Sequence, residues 1–455
     1  MMLLIVLLLV FGYLLIATGH LTGVNKAAIA MFIGTIGWIV YVCWGEDFVM
    51  KVHADDYLAW LDGREATSQT VKYYIYDNIF LKYVGKAAAI VMFLVATMTI
   101  VEILGNNGCF DFISVWIRTR NPNRLLWTIT LATFLLSANL DNLTTATMML
   151  VIMHGIVKNR MQRMLIGSAI VLAANAGGCF TVIGDPLGLV LWGNDAVTAT
   201  HFSAYLFLPV MASWVIPTIL INRQLPSRVD IEWSVAPYRG NDTRLNHWQR
   251  VVMFFVGIGG LWFIPTFHNI TKLSPFLGAL CVLSVLWVVN EAFNRKLMQA
   301  DQMADRKPRA LQYGAIQQML FVMGIMLGMG VLTESGVLSD IGKWLYGLFQ
   351  QNVWLMGFMS GLLSSIVDTF TVAITNVSFF PVGTGDFDTN GIYWLIIAYC
   401  TAMGGSLLSI GSTSGIALMK MENMRLGWYF RNLTWKVFIG FLTGLAILHA
   451  ETLLF

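Results

Sequence analysis

Charge is what this sequence has least of: Asp, Glu, Lys and Arg make up 12% of its 455 residues, about half the share of a soluble globular chain. With 57% of residues hydrophobic, that shortage excludes an ordinary soluble domain and leaves the membrane class. The net charge of +3 is too small to imply a nucleic-acid partner. Cysteine is also sparse. Cys43, Cys109, Cys179, Cys281 and Cys400 are odd in number and scattered in or beside apolar runs, which excludes a disulfide framework and a metal-ligand spacing. No basic segment precedes the first apolar run, so it reads as a first span and not as a cleaved leader.

What the chain has instead is hydrophobic runs of ~18 residues or more, each able to cross ~30 Å of hydrocarbon. They predict an all-α membrane protein of about ten transmembrane helices. The expected spans are 1–17, 26–44, 86–105, 163–190, 203–222, 251–266, 274–290, 315–334, 391–418 and 434–454. Lys and Arg concentrate in 106–124, 158–163, 222–250, 291–314 and 419–436 and are rare in 191–202, 267–273 and 381–390. The positive-inside rule puts the first set in the cytoplasm and the second outside. Two further apolar stretches, about 125–157 and about 353–380, then begin and end on one side each. Each is expected to be a re-entrant hairpin, tipped near Asp141 and near Asp368. The mixed-charge segment 45–85 falls outside.

The halves also match each other. Leu135-Leu136-Ser137, Asp141, Thr144 and Ala146 parallel Leu362-Leu363-Ser364, Asp368, Thr371 and Ala373, an offset of 368 − 141 = 227. Gly177-Gly178, Gly184 and Gly188 parallel Gly404-Gly405, Gly411 and Gly415 at the same offset. These matches predict a first repeat over 1–222, a cytoplasmic linker over 223–250, and a second repeat of opposite orientation over 251–455. Inverted repeats with substrate sites on interrupted helices are a secondary-transporter plan.

The polar residues fall at the expected interruptions. Ser137, Asn139, Asp141, Asn142, Thr144 and Thr145 lie at the centre of an apolar stretch. Side chains of these types compete with helical hydrogen bonding and break a helix, which is tolerated at membrane depth only where the backbone is buried in protein or lines a cavity. No Lys or Arg lies near Asp141 in sequence, and a lone carboxylate there costs ~2.5–3.5 kcal/mol or more. A hard cation held by carboxylate, amide, hydroxyl and carbonyl oxygens supplies the missing charge; protonation supplies it equally. Competition between the two for one group is the simplest chemistry of cation/proton exchange. The competing reading is a protonated or capping acid of structural use only.

Asn175-Ala176-Gly177-Gly178 and Gly184-Asp185-Pro186 mark a second interruption with a second uncompensated acid. Asp185 read as a turn facing external water is the alternative. In the other half the candidates are Ser364, Asp368, Thr369, Ser412 and Ser414, with Ser412 standing where the first half has Asp185. Hydroxyls bonding back to the preceding helical turn are the alternative for each. The expected ligands of the cation are Asp141, Asn142, Asp185 and Asp368, and Glu102 is a candidate proton relay or an interfacial charge. His20, His154 and His449 border spans, and Trp44, Trp192, Trp354 and Trp428 read as interfacial belts.

At Thr99 to Glu102, Leu135 to Thr145, Ala173 to Asp185 and Tyr399 to Gly415, the chain resembles the NhaD-type sodium/proton antiporters. These belong to an ion-transporter superfamily that also holds sodium-coupled carboxylate symporters and arsenite transporters. The resemblance implies a scaffold with a mobile, elevator-type transport domain, usually dimeric, in a bacterial inner membrane. It implies ion-binding and coupling roles for Ser137, Asp141, Asn142, Thr144, Asp185, Ser364, Asp368 and Ser412, with no cofactor beyond the transported Na⁺ or Li⁺ and H⁺. Two departures stand out: Asp368-Thr369-Phe370-Thr371 where such antiporters usually read Asp-Asn-Val-Pro, and Pro186 after Gly184-Asp185.

Two other readings compete. A Na⁺-coupled citrate or dicarboxylate symporter of the same fold would tend to carry Ser-Asn-Thr at both hairpin tips, which this chain lacks. An intramembrane aspartyl protease would need Gly where Val182 stands two residues before Gly184, and would leave the 227-residue offset unexplained. The expected function is therefore transport, not enzymatic catalysis.

Overall fold

The computed structural model describes residues 2–18, 24–117, 119, 121–231, 245–298 and 310–454. His20, Arg118, Arg120, Arg239, Arg244, Arg306, Lys307 and Arg309 lie outside them. Among the described residues the chain is helical, with a single isolated β-bridge between Val157 and Ile231.

The principal helices are α1 (Met2–Ala17), α2 (Lys26–Cys43), α3 (Leu81–Asn106), α4 (Pro122–Ser137), α5 (Asn142–Ile156), α6 (Arg160–Phe180), α7 (Pro186–Gly193) and α8 (Ala199–Asn222). After the linker come α9 (His247–Trp262), α10 (Pro275–Met298), α11 (Ala310–Glu334), α12 (Val353–Ser364), α13 (Thr369–Val377), α14 (Ile392–Gly404), α15 (Thr413–Met421) and α16 (Trp435–Leu454). Among the described residues seven helices are long and apolar enough to cross a membrane, or eight if α9 and the helix Ile264–Thr271, bent by 44°, form one span. About ten were expected, and two expected spans account for the difference. The α1 helix has 16 residues, short of the ~20 a span needs. Segment 391–418 is split into α14 and α15, of 13 and 9 residues. Segment 45–85 is largely helical, and from Ser68 it runs without a break into α3.

Each interruption has a local cause. Asn121, Asp141, Asn159, Asp185, Asn352, Asp368 and Ser412 each accept a backbone N–H of the helix they open, the bond that defines an N-cap. Pro122 and Pro186 add a first-turn proline, where the missing N–H is harmless.

Packing follows the small residues. Helices α2 and α11 run side by side in parallel: Gly324 abuts Ala30 and Met31, Gly34 faces Leu327, and Gly37 faces Val331. Without a Cβ the backbones approach closely, which is how helices associate where lipid offers no hydrophobic contrast. Trp38 Nε1 donates to Leu327 O at 3.0 Å across this contact. The α6 helix is buried along nearly its whole length, which explains its continuous apolar and small-residue face. Trp192 departs from the expected belt: it is 4% exposed, its ring edge on His268. Lys436, expected at a cytoplasmic surface, is buried and donates to Asn432 O at 2.6 Å.

One ion cluster ties the two halves. Glu422, after α15, has a fully buried side chain that accepts from Arg163 Nε of α6 at 2.9 Å and meets His154 Nδ1 of α5 at 2.8 Å. Removing one partner of a buried pair strands the other and costs roughly 3–5 kcal/mol. Glu422→Gln is expected to lose stability toward the lower end of that range, since Arg163 is 16% exposed, read as a lowered melting temperature in detergent.

Candidate ion-binding site

Asp141, Asp185, Asp368 and Ser412 are all N-caps, so their side chains sit at the positive ends of α5, α7, α13 and α15. Thr144 donates to Asp141 Oδ2 through its amide at 3.1 Å and its hydroxyl at 3.3 Å. Gln318 Nε2, from α11, donates to Asp141 Oδ1 at 2.9 Å. Asn142 Nδ2 donates to Asp185 Oδ2 at 2.9 Å, and Leu187 N to Asp185 Oδ1 at the same distance. Among the described residues no cationic side chain bonds Asp141 or Asp185.

A second polar cluster joins the interruptions of both halves. Asn175 Nδ2 donates to Ser406 Oγ at 2.8 Å, and Ser414 Oγ donates to Asn175 Oδ1 at 2.6 Å. Ser412 Oγ accepts from Gly415 N at 3.1 Å and lies 3.4 Å from Ser414 Oγ. Four buried oxygens around these breaks have no hydrogen-bond partner: Thr145 Oγ1, Gln318 Oε1, Thr371 Oγ1 and Ser409 Oγ. Buried polar atoms are normally paired, and unpaired hydroxyl and amide oxygens beside carboxylates are the donor set of a hard cation. Among the described residues no three His, Cys, Asp or Glu side chains converge to hold a metal.

Other expected residues sit elsewhere. Ser137 Oγ donates to Ala174 O at 2.6 Å, and Ser364 Oγ to Thr401 O at 2.7 Å, so the C-terminal end of α4 is tied to α6 and that of α12 to α14. Asn139 Nδ2 turns back to Leu135 O, and Thr369 N donates to Gly411 O. Glu102 lies in α3, 3.5 Å from Asn106 Nδ2. Two important residues had no sequence signal strong enough to single them out. Gln318 is one amide beside a Met-rich apolar run. Lys26 opens an apolar helix, where a cation normally reads as an interfacial anchor; its Nζ contacts Asp368 Oδ1 at 2.5 Å.

A helical membrane chain with acids at three helix interruptions, Asp141, Asp185 and Asp368, and a serine at a fourth follows the plan of transporters that bind small ions or molecules on broken helices. A family profile described as citrate transporter (CitMHS) matches residues 1–297. Sodium/proton antiporter 2 of Arabidopsis thaliana is 30% identical over 442 residues, 96% of this chain and 97% of its own length. Sodium/proton antiporter 1 of the same plant is 33% identical over 370 residues, 80% of this chain, which spans 62% of that relative's length. The Na(+)/H(+) antiporter NhaD of Vibrio cholerae is 28% identical over 364 residues, covering 73% of this chain and 71% of its own. The chain belongs to the citrate transporter (CitMHS) family and is similar along nearly its whole length to a sodium/proton antiporter.

Proposed function

We propose that this protein is a secondary active transporter exchanging Na⁺, or Li⁺, for H⁺. The observation that carries the reading is Asp141, 3% exposed at a helix break and bonded by neutral groups such as those of Gln318 and Thr144, with no cationic partner among the described residues. Such a charge in a membrane protein needs a mobile cation or a proton. We assign Na⁺ to Asp141, Asn142 and Asp185, completed by oxygens such as Thr145 Oγ1 and Gln318 Oε1. Asn175, Ser412 and Ser414 wall the adjoining space. Since a carboxylate oxygen that holds Na⁺ cannot also hold a proton, loading one expels the other. Inward proton flow then drives cation export.

We read the chain as two inverted repeats, 1–222 and 251–455, joined by 223–250, with the hairpins α4–α5 and α12–α13. Supporting this, one set of contacts recurs 227 residues on. Gly177 abuts Phe134 O and Gly404 abuts Gly361 O; Gly188 abuts Val182 O and Gly415 abuts Ser409 O. The Ser137–Ala174 and Ser364–Thr401 bonds are another such pair. An elevator movement of the hairpin-bearing domain, a homodimer, and residence in a bacterial inner membrane are our reading by analogy with the NhaD branch.

Inside-out vesicles from an exchanger-deficient bacterial host test the function. With an acid-inside gradient set by respiration, Na⁺ or Li⁺ is expected to collapse it, as reported by a pH-gradient dye, while K⁺ and citrate leave it. No response to any cation from inserted protein, with sodium-dependent uptake of labelled citrate, would replace this reading by the carboxylate symporter.

A further inference from the structure

Asp141 and Asp368 hold matching places 227 residues apart, and each caps a half-helix. What faces them differs. Asp141 meets the neutral amide of Gln318 at 2.9 Å, whereas Asp368 meets the ammonium of Lys26 at 2.5 Å. The two partners come from α11 and α2, the parallel pair locked by close backbone contact, so one rigid unit presents an amide to one acid and a cation to the other.

The Lys26 head is held from two sides. It lies over the Phe321 ring at 4.4 Å from the centroid while it bonds Asp368 Oδ1. Asp368 Oδ2 is taken by Phe370 N at 3.2 Å, so both carboxylate oxygens are engaged. Asp368 is 7% exposed and Lys26 24%, which shields the pair from screening while leaving the lysine stem an approach. The ammonium occupies the place a metal cation would take on Asp368, and a second cation beside it would be repelled at contact distance.

We propose that Lys26 is the resident counter-cation of the second-half site, so that Asp368 carries no transported ion in this conformation and Asp141 and Asp185 are the acids that bind sodium. The proposal rests on the exchange reading and specifies how many ions that reading carries. It also gives the Asp368 side chain a purpose distinct from ligation. Paired with Lys26, its negative charge is balanced at the second-half site.

The test is equilibrium binding of radioactive sodium to purified full-length protein at alkaline pH, counted per protomer. The wild type is expected to bind one ion. Lys26→Met should bind two, because the freed Asp368 recruits the second, and Lys26→Arg should bind one. Lys26→Met/Asp368→Asn should return to one. Lys26→Gln, whose amide still bonds Asp368, serves in place of the methionine variant if that fails to fold, with the same count of two expected. A folded Lys26→Met or Lys26→Gln that still binds one ion, or a wild type that binds two, overturns the proposal while leaving exchange intact. No sodium on the wild type at all sinks the exchange reading, and the counter-cation role with it.

Discussion

Asp141→Asn is expected to fold, insert, and exchange no ions. Folding survives because the site can accommodate an amide. In the native protein Gln318 Nε2 donates to Asp141 Oδ1, while the Thr144 amide and hydroxyl donate to Oδ2. An asparagine whose oxygen faces Thr144 keeps those bonds and turns its NH₂ toward Gln318. Gln318 Oε1 has no partner in the native protein, so rotating that amide by half a turn converts a donor clash into a hydrogen bond. The cost in stability is then under ~1 kcal/mol, about that of one neutral hydrogen bond. Function does not survive, because the substitution removes both the charge that holds Na⁺ and the group that carries the proton. Bonds to charged groups are worth ~1.5–3 kcal/mol each, so loss of the ionic ligand alone weakens sodium binding by about 10- to 150-fold. Loss of the titrating group removes coupling altogether. The everted-vesicle assay should show no cation-induced collapse of the gradient, with unchanged melting of the purified variant. Exchange at the wild-type rate would remove Asp141 from the mechanism. Asp141→Ala makes the contrast: it strands the Gln318 and Thr144 donors and should lower stability as well.

The interruptions were legible because their causes are local. An Asp or Ser before a helical run, with Pro or Gly beside it, specifies an N-cap from a handful of neighbours, and four of the expected polar positions became caps. Lys26 and Gln318 were not legible as site residues. Lys26 reaches Asp368 across 342 positions, and Gln318 reaches Asp141 across 177. Nothing about either residue's own neighbourhood distinguishes an anchor or a packing amide from a partner; the tertiary contacts of α2 with the cap of α13 and of α11 with the cap of α5 do. The span count suffered for a related reason. Hydropathy averages over a window, so it joins α14 to α15 across a polar break that the backbone does not cross as a helix. Burial misled at Trp192, where an amphipathic ring suited to an interface instead fills a contact with His268.

Gly404→Val is expected to abolish a stable fold, and Gly177→Val to do the same. A Cβ on Gly404 would fall within 3 Å of the O, C and Cα of Gly361, and one on Gly177 would fall 2.3 Å from Phe134 O, 3.0 Å from Ser137 Cβ and 3.1 Å from Ala138 N. These obstacles are main-chain atoms held by helical hydrogen bonds and a Cβ fixed to one, so no side-chain rotation relieves them. Overpacking of a core usually costs ~1–3 kcal/mol; here a single methyl, in Gly404→Ala, should already reach the top of that range. The damage runs directly to the site. Parting α12 from α14 stretches the Ser364–Thr401 bond, and the tip carrying Asp368 moves with it. Gly155→Ala is the control, because a Cβ there meets nothing within 4 Å on an exposed face of α5. It should be neutral or slightly stabilising, by at most ~0.5 kcal/mol, because Gly155 lies in the last turn of α5 where a glycine costs less than in a helix interior. Melting temperature and monodisperse yield in detergent measure all four variants. Because Gly177 and Gly404 hold corresponding contacts, equal losses at the two positions would support two copies of one unit. A valine tolerated at either would show that the helices there can part, and that the close approach is not what holds the hairpin against its long helix.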